Sequence, residues 1–156
     1  MKPEKKRRGD RKDGWRIRSL NPFYQFTPFI MKTRNDASNL FEDFLDVTEA
    51  DKYIRSKRAE GYTGFGMMHV IIAAYLRTVS QRPWINRFVS GQRVYARNNV
   101  EVCLTVKKEL SSDAEESTVK VKFTPADTAL DVYYKINEEV NKYRAEDGSE
   151  NNATLR

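Results

Sequence analysis

The chain has one cysteine and one histidine in 156 residues. A lone cysteine, Cys103, excludes an intrachain disulfide and any cysteine metal cluster. A lone histidine, His69, excludes an HExxH pair, and with no CxxC present a metal site would have to be built from carboxylates alone. Long apolar runs are missing too. The strongest, Met67 to Leu76, is interrupted by His69 and followed by Arg77, so it predicts a buried helix rather than a membrane span. No apolar core with a small-residue cleavage site opens the sequence, so no secretory signal is expected and a cytoplasmic location is the expectation. Internal repeats are absent.

What is present describes one soluble globular domain: 39% hydrophobic and 32% charged residues, enough for a single core. The net charge of +6 is concentrated at one end. Residues 1–18 hold nine Lys or Arg against Glu4, Asp10 and Asp13, which accounts for all of it. The other 138 residues balance 19 positive against 19 negative side chains, so the folded part is expected to offer no basic face.

Three stretches follow from these patterns. Residues 1–20 read as a basic flexible tail, poor in large apolar groups apart from Trp15, Ile17 and Leu20, with Trp15 as an anchor at its end. Residues 21–144 form the domain, and 145–156 are a polar disordered end.

Within the domain, Phe26 to Arg34 predicts a helical turn after Pro28. Ser38 to Val47 reads as a strand, with Leu40, Phe44 and Leu45 among Glu42, Asp43 and Asp46. Thr48 with Asp51 predicts a capped helix to about Ala59, closed by Gly61. Gly66 to Gln81 is the clearest helix, apolar around most of its circumference and expected deep in the core until Pro83 stops it.

The period then changes to two. A short strand holds Val94 and Tyr95; Val100 to Lys107 and Val119 to Phe123 are half-buried strands flanking a polar loop, Ser111 to Ser117. Thr128 with Asp131 caps a last helix whose stripe is Val132, Ile136, Val140 and Tyr143. The expected class is α+β, a two-layer sandwich of helices on a mixed, mostly antiparallel sheet.

Chemistry-bearing candidates are few. His69, inside the most apolar helix, reads as a hydrogen-bonded core residue, and Cys103 as a small core or half-buried strand residue. The glycines at 61, 64 and 66 fit neither GxGxxG nor GxxxxGK[ST] and read as a turn before a helix. Glu42, Asp43 and Asp46 read as a solvated strand face. No nucleophile, base and orienting group can be assembled around one histidine.

Read in order, several segments resemble the chloramphenicol acetyltransferase-like superfamily, in particular the catalytic domains of 2-oxo acid dehydrogenase acyltransferases. Leu45-Asp46-Val47-Thr48 before a charged helix is similar to that family's strand ending in "DVT". His69 to Arg87 resembles its buried helix closing on Pro83-Trp84-Ile85-Asn86. Gln92 to Lys107 resembles the strand pair that follows, and Val119 to Asp127 with Ala129-Leu130 its strand-to-helix passage. The resemblance spans about residues 26 to 142 and corresponds to the family's N-terminal half only.

The resemblance implies a partial fold of that type and acyl transfer between coenzyme A and a thiol or hydroxyl acceptor. No bound cofactor is implied; a coenzyme A thioester would be a substrate. The family's catalytic histidine lies in a C-terminal His-x-x-x-Asp-Gly motif that these residues do not contain, so no catalytic residue is assigned, and His69 does not take that role. By position, Ser38, Asn39 and Phe41 are substrate-channel candidates. The family assembles its active site between subunits of a trimer, which implies as partners a homo-oligomer or a complementary C-terminal half. Two alternatives remain open: a non-catalytic, partner-binding or regulatory relative, and nucleic-acid binding through the basic tail, centred on Lys5-Lys6-Arg7-Arg8.

Overall fold

The computed structural model describes residues 5–107 and 116–145, with side chains as far as Tyr143. The expected polar loop at 111–117 and the polar end at 145–156 therefore fall largely outside the described residues. The chain is α+β. Its described elements are β1 (Gly14–Arg16), α1 (Pro22–Ile30), α2 (Thr48–Ala59), α3 (Met67–Gln81), a 3-10 turn (Pro83–Asn86), β2 (Arg87–Ser90), β3 (Arg93–Arg97), β4 (Val100–Lys107), β5 (Glu116–Phe123) and α4 (Ala129–Ala145). No helix among the described residues is long and apolar enough to cross a membrane.

The strands form two small sheets, not one mixed sheet. One has the order β1-β3-β2 and the other pairs β4 with β5; every pairing is antiparallel. The single mixed sheet expected from sequence is thus corrected for the described residues.

The core is built by β4, β5, α3 and α4. Alternation along the hairpin puts Val100 opposite Phe123, Val102 opposite Val121 and Leu104 opposite Val119, so one face is continuously apolar. Onto it pack Ile72, Leu76 and Val79 of α3 and Val132, Ile136 and Tyr143 of α4. Each buried aliphatic or aromatic side chain there contributes about 1.5–3 kcal/mol of transfer free energy. At the start of α4 the Thr128 N–H donates to Asp131 Oδ2 at 2.8 Å and the Asp131 N–H returns to Thr128 Oγ1 at 3.3 Å, the reciprocal cap expected from sequence.

Several expectations are corrected by the packing. In α3 only one stripe is covered, His69, Ile72, Leu76 and Val79; Met68, Ile71 and Tyr75 face outward because α4 and the hairpin lie on one side of the helix. Cys103 is exposed, since the register that turns Val102 and Leu104 inward turns it outward beside Lys120. The N-cap of α2 is Val47, which makes no side-chain cap bond, so the cap expected from Thr48 with Asp51 is not formed. Asp46 Oδ1 accepts from both the backbone N–H and the hydroxyl of Thr48, and these bonds hold its carboxyl below the ordinary range. The helix predicted after Pro28 starts earlier, at Pro22, where Asn21 Oδ1 accepts the Phe23 N–H and proline at the first turn loses no intrahelical bond.

The basic N-terminal stretch is not tail throughout. Gly14–Arg16 adds a third strand to β3, and the Asn98 N–H and side-chain amide bond the carbonyls of Asp13 and Lys12. Gly14 permits this close approach: a Cβ there would overlap the Ala96 carbonyl oxygen and lie 2.9 Å from the Phe88 ring.

Candidate functional site

Three places in the fold carry unusual chemistry. The first surrounds the only histidine. His69 sits at the third position of α3, and its Nδ1 accepts the Gly66 N–H at 3.0 Å. That bond leaves Nδ1 unprotonated and puts the proton of the neutral ring on Nε2. Nε2 is buried and has no hydrogen-bond partner. Phe65 stacks on the imidazole with centroids 5.2 Å apart, and Tyr133 closes a second side at 5.4 Å while its hydroxyl donates to the Thr63 carbonyl. Burial in this aromatic box pushes the imidazole pKa below its ordinary value. A neutral ring, one nitrogen occupied and the other walled in, is a core group.

The second place is a groove of about 500 Å³ between α1, the 3-10 turn and the β2–β3 hairpin. Tyr24, Pro28, Trp84, Val89 and Val94 line it with apolar surface, and Arg87, which has no ion pair among the described residues, adds the one charged group of the lining. Its size falls in the range of about 300–1,000 Å³ that small-molecule sites occupy. Sequence reasoning missed it. The one available signal was the density of aromatic residues between Pro22 and Phe29 on a helix too short to bury them all.

The third place is the segment that holds the proposed channel residues. Ser38, Asn39 and Phe41 lie in irregular backbone, so the strand expected from Ser38 to Val47 is not formed. The physical reason is the lack of a neighbour: no described strand pairs with this stretch, and an extended segment gains its stability from ladder bonds. Ser38 Oγ donates to the Arg34 carbonyl at 2.9 Å, whereas Phe41 is 88% exposed. The three residues share a coil and do not line the groove, and none of them bonds an acid–base group among the described residues. Leu40, Phe44 and Leu45 beside them are also almost fully exposed.

Among the described residues no group of three or more His, Cys, Asp or Glu side chains is placed to hold a metal ion. Set against protein-family models, curated proteins and solved structures, the chain matches none of them.

Proposed function

We propose that this chain is the N-terminal part of an acyltransferase domain of the 2-oxo acid dehydrogenase type, which moves an acyl group between coenzyme A and a thiol or hydroxyl acceptor only within a larger assembly. The observation that carries this reading is the segment Leu40 to Val47. It has the apolar content of a buried strand, yet Leu40, Phe41, Phe44 and Leu45 are 80% or more exposed. Exposed apolar area of this density marks a surface made to be covered. A complementary polypeptide carrying the His-x-x-x-Asp-Gly motif would supply a strand neighbour for it, the catalytic base and the trimeric setting in which such sites form. Ser38, Asn39 and Phe41 would then face the acceptor channel. A cytoplasmic site of action goes with this reading.

The test is complementation. The chain alone, given acetyl-coenzyme A and a dithiol acceptor, is expected to release no free coenzyme A. Mixed with a C-terminal half bearing the motif, it should bind and turn over, and replacing the motif histidine by alanine should abolish turnover. A complementary half that neither binds nor activates the chain sinks the proposal.

A second reading, a non-catalytic relative that pairs with complete subunits, is favoured by one observation: the only histidine is sealed in the core. Binding to complete subunits without any turnover would select it.

A further inference from the structure

The sequence separates a basic end from an electrically neutral remainder. The fold does not keep them apart. Strand β1 carries the basic stretch onto the β2–β3 hairpin, which brings three arginines of its own. Residues 5–18 and 87–97 together hold eleven Lys and Arg against two Asp, a net charge of +9 in 25 residues. The rest of the chain is correspondingly acidic by three charges.

The register places much of this charge on one surface. Residues opposed across an antiparallel ladder share a face. Arg16 opposes Tyr95, which opposes Phe88; Arg93 opposes Ser90; Arg97 opposes Gly14. Arg11 crosses the same face, its guanidinium 5.6 Å from the Phe88 ring centre and hydrogen-bonded to Ser90 Oγ. The loop before β1 is folded against it. Asp10 accepts the backbone N–H groups of Arg7 and Arg16 and pairs with Arg18, whose guanidinium also reaches the Arg8 carbonyl.

Within this patch the two aspartates pair with Arg11 and Arg18. Among the described residues Arg16 and Arg93 and the lysines and arginines at 5–8 and 12 make no ion pair, and Arg97 acts on Asp13 without a direct salt bridge. Like charges held this close repel one another, and the packing of Arg11 and Arg97 on Phe88 and Tyr95 does not account for the remaining basic groups. A partner with dense negative charge would relieve that repulsion.

We propose that this sheet face binds the phosphate backbone of nucleic acid, duplex in preference to single strand and without regard to sequence. The preference follows from the aromatic rings. Single-strand binders offer open ring faces on which bases stack. Here Tyr95 is 6% exposed and Phe88 lies under Arg97, 4.6 Å from its guanidinium, with Arg11 beside it. Guanidinium groups occupy the positions where bases would stack. Phosphate contact remains, and a duplex presents more phosphate per unit length. This inference is independent of the acyl-transfer reading, which uses the segment at 38–47 and an added polypeptide.

The experiment is fluorescence anisotropy of a labelled 20-base-pair duplex with the full chain at several salt concentrations. Engagement of five or six phosphates predicts a slope of about −5 in log affinity against log salt, hence a loss of about 10³-fold between 50 and 200 mM. Arg93→Gln with Arg97→Gln should lower the magnitude of the slope by about 2, whereas Arg93 kept and Arg97→Lys should leave it unchanged. Circular dichroism and the urea midpoint of each variant check that the fold is kept. Replacing Lys5, Lys6, Arg7 and Arg8 by Gln should weaken binding but leave a salt-dependent remainder carried by the sheet.

Four results would overturn the proposal. They are no binding at 50 mM salt, tighter binding to a single strand with base preference, binding to phosphatidylserine vesicles but not to the duplex, and loss of all binding in the residue 5–8 variant while the Arg93/Arg97 variant binds like the parent. The last would assign the activity to the tail alone.

Discussion

The two sheets are alike in pairing and opposite in what holds them. The β4–β5 hairpin is a scaffold in the ordinary sense: every second residue from Val100 to Val106 and from Val119 to Phe123 is apolar, and α3 and α4 cover that face with side chains that are fully or nearly buried. The β1-β3-β2 sheet has no comparable cover. Its centre is Tyr95 with Phe88, stacked at 5.4 Å and roofed by Arg11 and Arg97. Cation–π contacts of this kind contribute about 0.5–2 kcal/mol each, less than burial of a large side chain in a core. One sheet uses its residues to exclude water. The other carries arginines packed over its two central rings.

The difference can be broken by mutation, starting with the largest effect. Phe123→Ala in the covered sheet should cost about 3–5 kcal/mol in urea unfolding, while Phe88→Ala in the open sheet should cost no more than about half of that. Equal losses would mean that the two sheets unfold as one unit and that the contrast drawn from burial is wrong.

Gly14→Ala comes next. Its Cβ would collide with the Ala96 carbonyl oxygen, an overpacking cost of about 1–3 kcal/mol that falls on β1. Amide exchange should then lose protection at Ile17, which bonds the Val94 carbonyl, but not at Val121. Loss of protection at both positions would show that docking of β1 supports the main core.

A smaller effect belongs to pH. The folded imidazole of His69 is held below the ordinary value of 6.5, so between the two values the unfolded chain binds a proton that the folded chain refuses. The stability that the neutral ring contributes is complete above about pH 6.5 and is lost as pH falls from there toward the lowered folded value. The free energy of urea unfolding should therefore drop from pH 7 to pH 5 by at most about 1.4 kcal/mol per pH unit, and His69→Gln should flatten that part of the curve. A parent and a variant with the same slope would remove His69 as the cause.

The smallest effect is expected at Phe41→Ser with Phe44→Ser. Both rings are exposed, so the isolated chain should change by no more than about 0.5 kcal/mol. The same pair should abolish binding of a complementary half. A large loss of stability in the isolated chain would mean that these rings are already packed.

Legibility in the sequence followed the same division. The β4–β5 hairpin and α4 were readable because alternation of Val100, Val102 and Leu104, and the Thr128–Asp131 cap, encode local structure and core face together. The segment 38–47 was misread as a strand for the reason that β4 was read correctly: it has strand-like apolar content. Content gives a preference; only a paired neighbour gives a strand. The channel candidates Ser38, Asn39 and Phe41 inherited that error and lie in exposed coil. Thr48 was taken as a cap, but its hydroxyl donates back to Asp46 and the N-cap position falls on Val47.

By itself the sequence determined that no intrachain disulfide can form, helices α2, α3 and α4 and strands β4 and β5 to within a few residues, the core stripe of α4 and the buried place of His69, whereas β1 and β2 were not read. These depend on residue type and short-range periodicity, which act over a turn or a strand. Only the tertiary structure decided that two sheets form instead of one, that α3 buries a single stripe, and that the basic stretch joins an arginine-bearing hairpin 80 residues away in sequence to make one charged face. Those outcomes depend on which distant surfaces meet. Charge carries no periodicity that reveals its eventual neighbours, and the pairing of Gly14–Arg16 with β3 rests on the space above a single glycine.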